Sequence, residues 1–331
     1  MNQELNLLLT SGITAVKKAS RVIRQIQQDL TITALNKQDK SPVTVADFAA
    51  QAIISRHLSQ ALPHFKLVGE EDSASLHTSD NTDFLPLIHQ YTQVVFPTAT
   101  TSEVGEWIDL GKSSPEGDFW TLDPVDGTKG FLRQDQFAIA LAYISSGIVQ
   151  IGILACPNLT QASQPEKDGE GSLLYATRGH GCWTVPLFSG DPQPEQLHVS
   201  EQTHLSKAVM LGSYEGSHTN PEKIAEFLQK SNNEIPTFRL DSQAKYAILA
   251  SGHADILLRL LSPQNLDYRE KIWDQAAGSI ILEEAGGRIT DLFGKPLDFT
   301  QGRTLAGNRG ILATNGLIHE KALQILAEII S

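Results

Sequence analysis

Residues 137–156 form a run of 20 residues without a charged side chain, and this run limits the possible folds more than any other segment. Its length alone would suffice for a membrane span. A Ser-Ser-Gly sequence at 145–147 interrupts it, however, and both flanking halves have the apolar character of strands. The run therefore predicts two strands joined by a turn and buried as a hairpin inside a globular protein.

Segments with helical and strand-like spacing alternate along the rest of the chain. Apolar residues recur at helical spacing over 5–26, opposite a basic face. A proline-marked turn at 41–47 ends in Asp47, which suits the N-cap of a second helix. Residues 72–118 are polar and predict a long loop or lid with one short helix near 85–91.

The alternation continues to the C-terminus and implies an α/β (α+β) layered fold. The proline-rich stretch 186–196 is the best boundary between two lobes, residues 1–190 and 197–331, which we expect to form one catalytic unit. The other predicted elements are strands at 66–68, 119–122, 209–211 and 254–261, a hairpin excursion at 161–171, and helices at 221–230, 241–252 and 274–285.

The composition excludes several classes of protein. Hydrophobic residues make up 40% of the 331 residues, a globular value that argues against wholesale disorder. The formal net charge of −12 argues against a nucleic-acid binder, but bound metal ions would still allow a small phosphorylated ligand. Cys156 and Cys182 are expected to be reduced thiols, and no secretory signal is evident. We therefore expect a cytoplasmic protein without a membrane anchor, either a monomer or a homodimer.

Acidic residues stand at predicted strand or helix ends in three separate segments. Glu70 follows a strand, Asp123 and Asp126 flank a proline turn, and Asp274 precedes a helix. Taken singly, each has a purely structural reading as a solvated acid, a turn former or a helix cap. The middle segment continues with Gly-Thr, and a helix starting near Thr128 would favour a bound phosphate at its N-terminus. Carboxylates crowded around a phosphate need cations between them, and magnesium prefers such oxygen ligands.

The rate of phosphate-ester hydrolysis also favours metal ions. This reaction needs accelerations of up to ~10²¹, whereas one positioned acid or base supplies roughly 10²–10⁴. Two metal ions about 3.5–4 Å apart generate the nucleophile and stabilise both the attacking and the leaving oxygen. The pattern therefore predicts a magnesium-dependent phosphatase that acts on a small phosphorylated molecule.

Six segments of the chain resemble one group of enzymes. Those resembling the lithium-sensitive inositol monophosphatase superfamily are Gly-Glu-Glu at 69–71, Asp-Pro-Val-Asp-Gly-Thr-Lys-Gly-Phe at 123–131 and Trp-Asp-Gln-Ala-Ala-Gly at 273–278. Those resembling its 3′(2′),5′-bisphosphate nucleotidase branch are Lys-Gln-Asp-Lys-Ser-Pro-Val-Thr-Val-Ala-Asp at 37–47, Asp-Ser-Gln-Ala-Lys-Tyr at 241–246 and Tyr-Arg-Glu-Lys-Ile-Trp-Asp at 268–274. The resemblance implies an α-β-α-β-α sandwich and hydrolysis of adenosine 3′,5′-bisphosphate to AMP and phosphate. The sulfated nucleotide and inositol 1,4-bisphosphate are further substrates that the branch suggests.

The resemblance also implies roles for individual residues. Asp47 and Thr128 would form the pair that helps to deprotonate the attacking water, and the amides of Gly127 and Thr128 would hold the scissile phosphate. Two or three Mg²⁺ ions would be bound by Glu70, Asp123, Asp126, Asp274 and the Val125 carbonyl. The nucleotide site would comprise His218, Ser242, Lys245 and Arg259, with Asp274 also beside the substrate.

Arg259 is informative without the resemblance, because it lies inside the apolar run 256–261. A buried guanidinium requires an anionic partner, either a substrate phosphate or a structural carboxylate. Two alternative functions stay open. An inositol phosphatase would share the metal chemistry, but a monophosphate would not need the cations of Lys245 and Arg259. A non-catalytic regulator that binds a phosphometabolite or metal would not need the Asp47–Thr128 pair.

Overall fold

The computed structural model describes residues 2–34, 41–77, 84–190, 193–214, 220–232, 234–235 and 237–330. None of the helices in these ranges has the length and apolar character needed to cross a membrane. Short 3₁₀ helices lie at Ser73–His77 and Leu205–Lys207. The α-helices are α1 (Gln3–Ala34), α2 (Ser41–Ala61), α3 (Phe84–Gln93), α4 (Thr101–Asp109), α5 (Thr128–Leu132), α6 (Pro221–Lys230), α7 (Ala244–Ala250), α8 (Ala276–Glu284) and α9 (His319–Ile329).

The strands form two main sheets and one small hairpin, which is the excursion predicted at 161–171. The strands are β1 (Leu67–Gly69), β2 (Asp118–Asp126), β3 (Ala138–Ser145), β4 (Ile148–Cys156), β5 (Leu159–Thr160), β6 (Gln164–Pro165), β7 (Ser172–Thr177), β8 (Cys182–Pro186), β9 (Glu195–Leu197), β10 (Met210–Gly212), β11 (Phe238–Arg239), β12 (Ile256–Arg259), β13 (Arg288–Thr290) and β14 (Ile311–Thr314). The first sheet has the order β1-β2-β3-β4-β7-β8-β9, and the second has the order β11-β10-β12-β14-β13. β5 pairs with β6 alone.

Helices and sheets stack in alternating layers. α1 and α2 pack against each other and cover one face of the first sheet. α7 and α8 lie between the sheets, because α8 contacts β4 and β7 on one side and β13 on the other. α6 and α9 cover the outer face of the second sheet. The order is α-β-α-β-α, so the predicted layered sandwich is confirmed.

The charge-free run forms the predicted buried hairpin. β3 and β4 pair antiparallel, and the turn between them carries positive φ angles of 51° at Ser146 and 78° at Gly147. Most of the side chains are buried because α1 packs on one face of this hairpin and α8 on the other, whereas Ile148 beside the turn is exposed. Cys156 ends β4 and Cys182 begins β8, and both are free, buried thiols as predicted.

The prediction of a mainly irregular segment at 72–118 is wrong. The helix predicted near 85–91 is present as α3, but α4 also lies in this segment. Its N-terminus is a capping box: the Glu103 amide donates to the Thr100 hydroxyl at 3.3 Å, and the Thr100 amide donates to the Glu103 carboxylate at 2.8 Å. These reciprocal bonds satisfy backbone donors that a helix start would otherwise leave unpaired.

The prediction that Asp47 caps a helix is also wrong. α2 begins at Ser41, so Asp47 lies in the second turn of this helix. Pro42 is in the first turn, where the missing N–H of proline removes no intrahelical hydrogen bond. The proline that suggested a turn before the helix is therefore part of its beginning.

Candidate active site

Glu70 and Asp123 stand at the same edge of the first sheet. β1 and β2 run parallel and pair Gly69 with Leu122. The residues that follow this pair on the two strands are Glu70 and Asp123. The Glu70 amide donates to the Leu122 carbonyl at 3.2 Å. Ligands of layered α/β proteins bind outside the carboxyl ends of parallel strands, and these two acids lie at such ends.

The end of β2 brings the backbone close to the segment that precedes α7. The register between β2 and β3 shifts between Asp123 and Asp126, so the strand bulges there. Gly127 follows with φ of 92°, and a Cβ on it would lie 2.8 Å from the Cβ of Ser242. α5 then begins at Thr128, as predicted. A helix start without a side-chain cap and a glycine with no room for a side chain therefore follow Asp126.

Gln243 ties the third acidic segment to the first two. Its backbone N–H donates to the Asp126 carboxylate at 2.6 Å, and its side-chain nitrogen donates to the Trp273 carbonyl at 3.0 Å. Its side-chain oxygen accepts from the Gly278 amide at 3.0 Å. One buried glutamine at the start of α7 thus connects the end of β2 with the segment around Asp274.

The four acids Glu70, Asp123, Asp126 and Asp274, here called the acid cluster, repel one another. Burial raises the pKa of Asp123 well above its ordinary value, and the charges of Glu70, Asp126 and Asp274 raise it further. Burial and the charge of Asp126 raise the pKa of Asp274 to about 8. One oxygen of Asp123 is buried without a hydrogen-bond donor. At Asp123 and Asp274, burial and the negative charges of neighbouring acids therefore favour the protonated carboxyl.

The oxygen chemistry of the acid cluster fits magnesium. A hard cation takes carboxylate and carbonyl oxygens, and the buried oxygen of Asp123 needs such a partner. Val125 is buried in β2 between Asp123 and Asp126. In the described part of the chain, no group of three or more His, Cys, Asp or Glu side chains is placed so that it could hold a metal ion without rearrangement. Magnesium is usually held by one or two carboxylates together with phosphate oxygens and waters.

Asp47 lies on α2 near the acid cluster, whereas Thr128 begins α5. Burial raises the pKa of Asp47, and the charges of Glu71 and Glu70 raise it further. The Thr128 side chain is exposed. Both side chains are described, and no hydrogen bond joins them in this structure. The Asp47–Thr128 couple stays a prediction.

Two cationic residues, Lys245 and Arg259, lie beside the acid cluster and are here called the cation pair. Burial lowers the pKa of Lys245 to about 8, although the charge of Asp126 acts in the opposite direction. The Lys245 ammonium donates to the Leu240 carbonyl at 3.2 Å. Arg259 ends β12, and its Nε lies 2.9 Å from a carboxylate oxygen of Glu270. The anionic partner predicted for Arg259 is present, and within the chain it is a structural carboxylate.

Residues 5–331 match the family described as the inositol monophosphatase family. The chain belongs to the inositol monophosphatase family. It is 40% identical over 341 residues to the 3′(2′),5′-bisphosphate nucleotidase of Schizosaccharomyces pombe, covering 97% of this chain and 95% of that protein. It is 41% identical over 342 residues to 3′(2′),5′-bisphosphate nucleotidase 2 of Candida albicans, covering 95% of each. The inositol monophosphatase of Anabaena shares the fold, with a TM-score of 0.63, 20% identity and coverage of 98% and 97%.

Inositol monophosphatase family enzymes generally depend on Mg²⁺, which agrees with the donor set of the acid cluster. Of the residues predicted for the nucleotide site, Ser242 precedes α7, Lys245 lies in the first turn of α7 and Arg259 ends β12. Lys245 and Arg259 are close enough for the charge of Arg259 to lower the pKa of Lys245. Ser242 has φ of 66°, and its hydroxyl accepts from the Ala244 amide at 3.1 Å. His218 lies outside the described residues.

Arg303 joins two motifs of the inositol monophosphatase family and was missed in the sequence. Its Nη2 donates to the Gly69 carbonyl at 2.5 Å, and its guanidinium lies 4.7 Å from the centre of the Trp273 ring. It thus connects the residue before Glu70 with the residue before Asp274. No local sequence pattern could predict this contact, because Gly69 and Arg303 are 234 residues apart.

Gln51 is a second residue that sequence reasoning missed. Its side-chain nitrogen donates to the carbonyls of Glu71 and Ile108 at 2.7 and 2.8 Å, and its oxygen accepts from the Glu71 amide at 3.1 Å. A Cβ on Gly69 or Gly111 would lie within 2.6 Å of this side chain. Gln51 is fully buried, so it fixes the backbone that follows β1 without direct contact with solvent.

Proposed function

We propose that this chain hydrolyses the 3′-phosphate of adenosine 3′,5′-bisphosphate to give AMP and inorganic phosphate. The observation that carries this proposal is the juxtaposition of the acid cluster with Lys245 and Arg259. A metal-dependent phosphatase of a monophosphate needs only the acids, whereas a second phosphate needs additional cations. The names of the fungal relatives at 40% and 41% identity support the same substrate class.

Glu70, Asp123, Asp126 and Asp274, with the carbonyl of Val125, would hold two or three Mg²⁺ ions. When bound, magnesium supplies Lewis-acid stabilisation of phosphoryl charge and activation of a water molecule. The buried, donorless oxygen of Asp123 and the raised pKa of Asp274 support this role, since burial and the neighbouring acids outweigh the charge of Arg259 at Asp274.

The chain's own groups position the reaction. The Asp47 carboxylate would accept a hydrogen bond from the Thr128 hydroxyl and so orient this hydroxyl as an acceptor for the attacking water. The amides of Gly127 and Thr128, at the start of α5, would donate to oxygens of the scissile phosphate. Water adds to phosphorus as the bond to the ribose 3′-oxygen breaks, and that oxygen leaves with a proton as the 3′-hydroxyl of AMP.

The second phosphate would be bound on the side of the cation pair. Lys245 would donate as an ammonium and Arg259 as a guanidinium, and the Ser242 hydroxyl and His218 would supply further donors. The positions of Lys245 and Arg259 beside Asp126 support a substrate that bridges the acid cluster and the cation pair.

Phosphate release from adenosine 3′,5′-bisphosphate and from inositol 1-phosphate, measured side by side, tests this proposal. We expect strong preference for the nucleotide, dependence on Mg²⁺ and inhibition by lithium. Preference for inositol 1-phosphate would transfer the function to the inositol phosphatases. Absence of release from both substrates would favour a non-catalytic binding protein and would overturn the proposal.

A further inference from the structure

Arg259 forms an ion pair with Glu270, which ends a buried chain of hydrogen bonds. The Tyr246 hydroxyl donates to the side-chain oxygen of Gln275 at 2.6 Å, and the Gln275 nitrogen donates to Glu270 Oε2 at 2.9 Å. Arg259 Nε lies 2.9 Å from the other oxygen, Glu270 Oε1. Tyr246, Glu270 and Gln275 are each 3% exposed, so solvent cannot replace these contacts.

The direction of these hydrogen bonds is fixed by chemistry. The guanidinium and the amide nitrogen can only donate, so Glu270 Oε2 accepts from Gln275, whereas Oε1 meets Arg259 as an ion pair without a hydrogen bond. An ionised carboxylate accepts at both oxygens, whereas a carboxamide accepts at only one. Glu270 therefore holds Arg259 through its charge, while Gln275 fixes the carboxylate through its other oxygen.

The chain of hydrogen bonds is anchored to rigid elements. Tyr246 lies on α7, Gln275 precedes α8 and Arg259 ends β12. A Cβ on Gly278 would lie 2.1 Å from the Tyr246 ring, so this ring packs directly on the backbone of α8. The tyrosine and the glutamine consequently have little freedom to move, and neither has Glu270.

The contact with Glu270 uses only one edge of the Arg259 guanidinium. A guanidinium has five N–H groups, and the ion-pair contact at Nε leaves the four at the terminal nitrogens. Over the described ranges, those terminal nitrogens make no hydrogen bond. The Arg259 side chain keeps 29% of its surface exposed, and its charge acts on Asp126 and Asp274. The remaining donors are thus available to an anionic ligand beside the acid cluster.

We propose that Glu270, held by Gln275 and Tyr246, is a positioning residue that fixes Arg259 for the second phosphate of the substrate. This inference rests on the proposed function and extends it: Glu270 determines the preference for a bisphosphate over a monophosphate without touching either. An arginine held at Nε is oriented before the substrate arrives, so less side-chain entropy is lost when phosphate binds.

The test compares Glu270→Gln with the unaltered enzyme on adenosine 3′,5′-bisphosphate and adenosine 3′-monophosphate, in Mg²⁺. We expect the KM for the bisphosphate to rise about tenfold, with the KM for the monophosphate and both kcat values changing less than about twofold. Glu270→Asp, which keeps the charge, should restore part of the lost affinity. Equal changes for the two substrates, or none, would overturn the proposal.

Two variants separate positioning from general damage. Glu283→Gln removes a carboxylate from another arginine pair, since Glu283 lies 2.6 Å from Arg178, and it should change neither KM. Tyr246→Phe keeps the ring and removes only the hydroxyl, so it should fold and raise the bisphosphate KM about two- to threefold. In an Arg259→Ala background, Glu270→Gln should not change the KM for the bisphosphate further, because the effects of substituting two coupled residues are not additive.

Binding of AMP, which carries the second phosphate but no scissile one, makes the test independent of turnover. Titration calorimetry should show AMP binding about tenfold weaker in Glu270→Gln than in the unaltered protein. If the unaltered protein releases no phosphate but binds AMP about tenfold more tightly than Glu270→Gln does, the proposed function fails and the role of Glu270 stands. If AMP binds equally to both proteins, the role of Glu270 is wrong whatever the activity.

Discussion

The acid cluster and the cation pair lie side by side, but their charges are balanced in different ways. Asp123 has a buried oxygen without a donor, and its acidic neighbours raise its pKa. Arg259, by contrast, is paired at 2.9 Å with Glu270, which is held in turn by Gln275. The protein thus leaves the negative side unbalanced for added cations, and it balances the Arg259 charge internally.

The difference follows from what each group can do when its charge is not compensated. A carboxylate takes up a proton when neighbouring acids repel it, so an acid cluster can persist without metal. A guanidinium stays protonated at all accessible pH values, so a buried arginine needs a counter-anion at all times. Glu270 is therefore expected to contribute to the stability of the fold as well as to the position of Arg259.

Asp126→Asn tests the acid side and should have the largest effect. Turnover should fall about 10⁴-fold, because loss of a metal ligand removes several kcal/mol of transition-state stabilisation. The protein should stay folded, since an asparagine oxygen can still accept from the Gln243 amide. Asp118→Asn is the matched control, because Asp118 is exposed at the other end of β2. Near-normal turnover of Asp126→Asn would refute the metal role of the acid cluster.

Arg259→Ala tests the opposite side and should unfold more easily. It leaves Glu270 buried and unpaired, which we expect to cost about 3–5 kcal/mol in the free energy of unfolding. Urea denaturation of Arg288→Ala is the control, because its pair with Glu320 is largely exposed and should be worth below about 1 kcal/mol. The folded fraction should also show a larger increase in KM than decrease in kcat for the bisphosphate. Equal effects on mono- and bisphosphate substrates would contradict the role of Arg259.

The stability of the metal-free protein should depend on pH through the acid cluster. The pKa of Asp274 rises from 3.8 to about 8 on folding, so the folded state holds an extra proton between those values. Stability should therefore fall as pH rises from about 5 to 8, by about 1.4 kcal/mol per pH unit for each such proton. Urea unfolding in EDTA should show this slope, and Mg²⁺ or Asp274→Asn should reduce it. Identical slopes with and without Mg²⁺ would contradict the prediction.

The layers and the acid cluster could be predicted because their signals are local. The charge-free run at 137–156 contains its own turn, and Glu70, Asp123 and Asp126 stand where strand-like segments stop. The start of α2 and the presence of α4 were also encoded locally but were misread. Pro42 suits a first helical turn, and Thr100 with Glu103 is a capping box that precedes apolar residues at helical spacing.

The supporting contacts could not be predicted, because they depend on how distant segments meet. Gln243 contacts Asp126 across 117 positions, and Arg303 contacts Gly69 across 234. Glu270 is close to Arg259 in sequence, yet its role depends on Tyr246 packing against Gly278. A buried arginine implies an anion somewhere, but only tertiary structure identifies which one.

The smallest expected effect concerns Lys245, the member of the cation pair without an ion-paired carboxylate in the described structure. Burial lowers its pKa to about 8, so its ammonium is lost as pH rises through this value. The ratio of kcat/KM for bisphosphate over monophosphate should fall by up to about eightfold between pH 7.5 and 9. The titration of groups that act on both substrates cancels in this ratio. A change in the ratio therefore reports only the interaction with the second phosphate. Lys245→Arg keeps its charge throughout and should flatten the ratio, whereas a constant ratio in the unaltered enzyme would exclude Lys245 as a phosphate ligand.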